Sequence, residues 1–198
     1  GTILGVLVSL AKRSGIKPLE WLVSLYVWVF RGTPMVVQIM IAFNLIHMNL
    51  PTVQFGILNL DLSRIVPGII VLSLNSGAYI SEIMRSGILS VDPGQMEGGR
   101  AMGLSFATTM RKIVIPQAVK NILPTLGNEF ISLIKETSVV SFVGATDLYV
   151  AFNYIGSNSY EFMIPYLVMA LIYIVMVLLI SLGIKLMERS LRKSDRRH

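Results

Sequence analysis

The sequence predicts an all-α integral membrane protein, a bundle of about five transmembrane helices, and three observations predict it. Apolar residues make up 54% of the 198-residue chain and charged residues only 14%, against roughly 25% charged in soluble domains. Mean hydropathy is +0.69. Hydrophobic runs long enough to cross a bilayer alternate with short polar connections.

The cleanest run is Phe162 to Ile184, without a charge. A second extends from about Ile65 to Ile88, interrupted only by Glu82 and Arg85, and a third from about Ala118 to Phe142. The run from Leu19 to Met48 is too long for one membrane-normal helix, since thirty helical residues measure ~45 Å. Its first turns are therefore expected at the interface, where Trp21, Tyr26 and Trp28 suit the headgroup zone. Gly1 to Ala11 is apolar but short, and reads as the end of a helix that begins before residue 1. The whole of 1–198 is expected to be one transmembrane domain.

Lys and Arg set the expected topology. They cluster at 12–17, around the connection at about 89–117, and from Lys185 to Arg197. The connections at about 49–63 and 143–161 carry Asp61, Asp147 and Glu161 but no Lys or Arg. Five spans with this asymmetry place the C-terminus in the cytoplasm and the N-terminus outside. The net charge of +6 then reads as an orientation and lipid-contact signal, not as a nucleic-acid surface.

Several chemistries are excluded. The chain has no Cys, hence no disulfide or thiol catalysis. It has no G-x-x-x-x-G-K-[ST] phosphate loop, H-E-x-x-H or G-x-S-x-G. The histidines are His47, at a span end, and the terminal His198, which read as structural. The eleven methionines read as packing residues. No catalytic residue, metal site or bound cofactor is expected.

The connection from Asp92 onward is the most specific segment. Asp92 can cap a helix beginning at Pro93, with Gln95 reaching back as in a capping box. Gly99 and Gly103, four apart, clear one face of that helix for close backbone approach. The Gly98–Gly99 pair weakens it by ~2 kcal/mol relative to alanines, so it should gain order by docking. Taken alone, the segment could equally be a plain connection.

The segment resembles the cytoplasmic signature of ATP-binding-cassette importer permeases, E-A-A, three residues, G, nine residues, then I-x-L-P. Glu97, Gly103, Ile113 and Pro116 stand at its first, seventh, seventeenth and twentieth positions, while Gly98, Gly99 and Ile115 depart from it conservatively. Arg31-Gly32-Thr33-Pro34 with Gln38, Tyr79 with Glu82 and Arg85, Pro116-Gln117-Ala118, Pro124 with Gly127-Asn128-Glu129, and Lys135-Glu136-Thr137-Ser138 are similar to polar amino-acid permeases. The resemblance implies a type I importer permease in a prokaryotic inner or plasma membrane. It implies a second permease subunit, ATPase subunits that use ATP and Mg, and an extracytoplasmic amino-acid-binding protein. On that resemblance the ATPase-coupling residues would be Glu97, Gly99, Arg100 and Gly103.

A substrate route needs polar groups within the bilayer. Asn128, Glu129, Ser132, Lys135 and Glu136 fall within an arc of about 120° on one helix, and charges at that depth belong inside the bundle or in a wet cavity. Asn128, Glu129, Ser132 and Glu136 are the expected substrate contacts, against a purely structural Lys–Glu network. Asn75, Tyr79, Glu82 and Ser86 form a second stripe that reads as helix–helix glue, with Glu82 paired to Arg85. The local excess of carboxylates favours an amide-bearing or basic amino acid, such as glutamine or arginine, over an acidic one. A gradient-driven secondary transporter is the rival reading, but five spans without an inverted repeat are few for one.

Overall fold

The computed structural model describes residues 1–46, 48–55 and 58–195. His47 and the terminal Arg196, Arg197 and His198 lie outside them. Helices dominate: α1 (Thr2–Ala11), α2 (Lys17–Gly32), α3 (Met35–Leu45), α4 (Leu62–Leu89), α5 (Pro93–Ala101), α6 (Phe106–Thr109), α7 (Ile115–Glu136), α8 (Leu148–Ser159) and α9 (Met163–Asp195). Among the described residues two helices, α4 and the stretch Met163–Leu191 of α9, are long and apolar enough to cross a membrane alone. Two bent pairs, α2 with α3 at 112° and the 106–143 segment with α8 at 56°, are long and apolar enough only when each pair is taken together. The short apolar α1, about 15 Å long, is the fifth apolar segment of the expected bundle.

The long run from Leu19 to Met48 is thus broken, and the sequence at the break explains why. Gly32 ends α2, and Thr33 and Pro34 are extended, the conformation that a following proline favours. Gln38 then ties the break together. Its side-chain amide donates to the Phe30 carbonyl (2.8 Å), the Thr33 carbonyl (3.0 Å) and the Thr33 hydroxyl (2.8 Å). Asn75 of α4 donates to both Phe30 O (3.1 Å) and Gln38 Oε1 (3.0 Å). Backbone groups freed by the break are therefore satisfied by side chains, as hydrocarbon requires.

α4 is the centre of the packing. Asn75, Ser76, Gly77, Ala78, Ile80 and Ser81 are buried in succession, because small side chains let neighbouring helices approach it on several sides. Ala78 packs with Val8 of α1 and Val27 of α2. Val71 packs with Ile39 of α3 and with Val143. At the far end, Val91, Val114, Ala118 and Ile122 form a separate cluster that joins α4 and α5 to α7.

Two connections hold more structure than expected. Strands β1 (Thr52–Phe55) and β2 (Leu58–Asp61) pair antiparallel, Thr52 opposite Asp61, and Asp61 then caps α4 through Ser63 N (3.0 Å). Residues 148–159 are α8, capped by Asp147, whose Oδ1 accepts from Val150 N at 2.8 Å.

Candidate functional site

A polar cavity of about 460 Å³ lies between α4 and α7, with the end of α2 at its edge. Tyr79, Glu82, Ile83, Arg85 and Ser86 of α4 form one wall, and Thr125, Asn128, Glu129 and Ser132 of α7 the other. Arg31 closes it. The spacing explains both walls: positions 79, 82, 83 and 86, and 125, 128, 129 and 132, each repeat at i, i+3, i+4 and i+7.

Of the expected substrate contacts, Asn128, Glu129 and Ser132 line this cavity and Glu136 does not. Lys135 and Glu136 have the right angular position but lie a turn further along α7, where the helix passes into the 3₁₀ segment Thr137–Val143. No hydrogen bond or ion pair joins Lys135 to either glutamate among the described residues, so the alternative of a purely structural Lys–Glu network has no such contact behind it. The stripe on α4, expected to be structural, meets the α7 stripe across the cavity, except that Asn75 belongs to the α2–α3 break.

Glu82 is the most heavily paired charge. Its Oε1 accepts from Lys12 Nζ at 2.8 Å and its Oε2 from Arg85 Nε at 2.9 Å, while Arg31 NH1 stands 3.9 Å from Oε2. The expected Glu82–Arg85 pair is present within α4, and Lys12 at the end of α1 extends it to a second helix. Arg31 lies over the Tyr79 ring, 5.2 Å from its centroid, a cation–π geometry. Arg31, Arg85 and Thr125 were not singled out as cavity residues by sequence. Thr125 was available from helical spacing, since it stands three residues before Asn128. The Lys12–Glu82 contact spans seventy positions and has no local signal.

The four charged lining residues, Arg31, Arg85, Glu82 and Glu129, sum to zero, not to the negative charge expected from α7 alone. Glu129 has no hydrogen bond or ion pair among the described residues. The cavity therefore offers an unoccupied carboxylate on one wall and guanidinium groups on the other.

The second candidate region is α5. Asp92 caps it by accepting from Gly94 N at 2.8 Å. Gln95 does not reach back. Its Oε1 instead accepts from Gln117 Nε2 at 3.0 Å, which ties α5 to α7. Gly99 is buried against this same chain: a Cβ there would stand 2.5 Å from Thr109 Cγ2. Its close approach is thus to the following segment. Gly103 has φ of +83°, and Leu104 N donates to Gly99 O while Gly103 N donates to Arg100 O, at 3.1 and 3.0 Å. This is a Schellman termination, which favours glycine. Glu97, Gly98, Arg100 and Met102 are exposed, Met102 at 85%. Beyond it, Met110–Val114 forms a π turn, in which Ile115 N donates to the Met110 carbonyl five residues back. The wider turn leaves room for the ring of Pro116, which would press on a carbonyl in an unbroken α-helix.

The sequence pattern of the family described as binding-protein-dependent transport system inner membrane component matches residues 1–193. The arginine transport system permease protein ArtQ of Bacillus subtilis (strain 168) is 38% identical over 195 residues, covering 98% of this chain and 85% of that one. The L-cystine transport system permease protein TcyB of the same organism is 38% identical over 192 residues, covering 96% and 78%. A crystal structure of an amino acid ABC transporter with histidines superposes with a TM-score of 0.84 at 41% identity, covering 96% of this chain and 84% of that one.

Proposed function

The chain belongs to the binding-protein-dependent transport system inner membrane components, and from that premise we infer that it forms the amino-acid path of an ATP-driven importer through the α4–α7 cavity. The carrying observation is Glu129, a carboxylate with no hydrogen bond or ion pair among the described residues, on the wall of a polar cavity. An amino acid brings an α-ammonium that such a group accepts through a charge-assisted hydrogen bond. Asn128, Ser132 and Thr125, on the same wall, supply further hydrogen-bonding groups. Glu136 belongs to the approach to the cavity in this reading. An amide-bearing or basic substrate agrees with the names of relatives, among them ArtQ.

ATP hydrolysis, with its Mg, belongs to separate ATPase subunits, which would dock on the exposed face of α5. Glu97 and Arg100 offer polar contacts there and the exposed Met102 an apolar one. Gly99 and Gly103 would act by shaping the helix and its end. This arrangement puts α5 and the basic tail on the cytoplasmic side, in keeping with the positive-inside rule. A second permease subunit would cover the cavity mouth, and an extracytoplasmic binding protein would deliver the amino acid.

Reconstitution with the cognate ATPase and binding protein tests this reading. Uptake of L-arginine or L-glutamine should require ATP, persist when the proton and sodium gradients are collapsed, and fall at least ~tenfold in Glu129→Gln. Uptake by the chain alone, driven by a gradient, would instead establish the secondary-transporter reading.

A further inference from the structure

We propose that Arg31 anchors the α-carboxylate of the transported amino acid, and so makes the path selective for amino acids over amines; this rests on the cavity reading above. Three observations point to Arg31 among the cations around Glu82. The first is that Glu82 is already satisfied on both oxygens, by Lys12 at 2.8 Å and Arg85 at 2.9 Å. Arg31, at 3.9 Å, is beyond hydrogen-bond distance. The second is that Arg31 donates no hydrogen bond among the described residues, so its five N–H donors remain for a ligand. The third is that Tyr79 supports the guanidinium by its ring face, 5.2 Å away, which positions the group without using a donor.

Arg85 is less suited to the role. It spends Nε on Glu82 three residues before it on the same helix, and that bond fixes its planar fork. Lys12 is not on the cavity wall, and its ammonium is engaged by Glu82. The structure therefore separates two functions within one charge cluster. Lys12 and Arg85 hold Glu82, and Arg31 stays available opposite Glu129. A planar guanidinium matches a carboxylate bidentately, which an ammonium does not. A zwitterionic headgroup spanning the cavity would place its carboxylate on Arg31 and its ammonium on Glu129. A basic or amide side chain would then extend along Asn128 and Ser132.

The test must bypass the binding protein, which selects substrates itself. The permease–ATPase complex is placed in lipid nanodiscs, and binding of radiolabelled L-arginine is competed with L-arginine and with agmatine, its decarboxylated analogue. L-Glutamine and γ-aminobutyramide form a second pair. In the wild type each amino acid should compete at least ~tenfold better than its amine. In Arg31→Gln that ratio should fall to within ~threefold, the expected loss of a charge-assisted carboxylate contact. Arg31→Lys keeps the charge without the fork and should give an intermediate ratio; it decides the matter if Arg31→Gln does not assemble. Wild-type discrimination retained in either assembled variant overturns the assignment. Glu129→Gln should weaken amino acid and amine alike. If it does so while the Arg31 variants still discriminate, only the Arg31 assignment falls. If the wild type binds neither amino acid, or Glu129→Gln changes nothing, the cavity reading falls and this proposal with it.

Discussion

Glu82 shows how a single side chain can be both structural and adjacent to function. Its carboxylate joins α1 to α4 through Lys12, and its side chain is only 15% exposed. Glu82→Gln would leave Lys12 and Arg85 without their anion. Removing one partner of a buried pair costs about 3–5 kcal/mol, and the partial exposure of both cations reduces this to roughly 1–3 kcal/mol here. The expected outcome is a lower Tm of the purified protein, and an unchanged Tm would show that the cluster does not hold α1. Glu129 differs because it makes no hydrogen bond or ion pair among the described residues, so Glu129→Gln should lower uptake at least ~tenfold while leaving Tm nearly unchanged. Glu136→Gln should lower uptake less than Glu129→Gln, since Glu136 lies outside the cavity. Equal losses would return Glu136 to the site. Sequence put both glutamates on one stripe because helical spacing gives angle but not depth. Where a cavity ends along a helix depends on the neighbour, here α4, which no local pattern describes.

Breaks and ends of helices are where this chain concentrates its specific polar contacts. Gln38 holds the α2–α3 break through three acceptors and receives Asn75. Gln38→Leu keeps the volume but removes these bonds and leaves Asn75 short of a partner, at a cost of about 1–3 kcal/mol. Thermal unfolding in detergent should show it as a clear fall in Tm, and a rise or no change would mean that the break is held by Pro34 alone. The break itself is legible in Gly32-Thr33-Pro34, yet hydropathy reads the long run as one span with an interfacial start, because it does not register direction. The β1–β2 strand pair and α8 read from sequence as connections for the opposite reason: each is too short for a membrane-length window. At the end of α5, Gly103 at φ +83° admits another residue only with strain of about 1–2 kcal/mol. Gly103→Leu should therefore insert normally but release the Schellman end and displace Met102. ATP hydrolysis should then continue with less amino acid moved per ATP, and normal assembly with normal stoichiometry would disprove this role for the helix end.

The whole chain has a face that cannot belong in lipid. Arg31, Arg85 and Glu129 border a cavity with an open mouth, and each charge facing hydrocarbon would cost at least ~2.5–3.5 kcal/mol. Among the described residues no helix closes that mouth, and on the function proposed above a second permease subunit would cover it. A C₂ pair, or a pair of similar chains, would bring two such cavities together on a shared axis, each subunit covering the other's charged face. Ser132 is the useful reporter because it lines the cavity from α7 and carries no charge. The chain has no native Cys, so Ser132→Cys introduces a unique thiol. In the assembled transporter it should react with small water-soluble thiol reagents and form a crosslink to the neighbouring permease with a short bifunctional one. For a homodimer the product is two copies of this chain; for a heterodimer it appears only when the second subunit carries the matching Cys. A thiol at 132 that reacts with membrane-soluble reagents and is protected from water-soluble ones would place this wall of α7 against lipid. That result would rule out both the paired arrangement and the α4–α7 cavity as the amino-acid path.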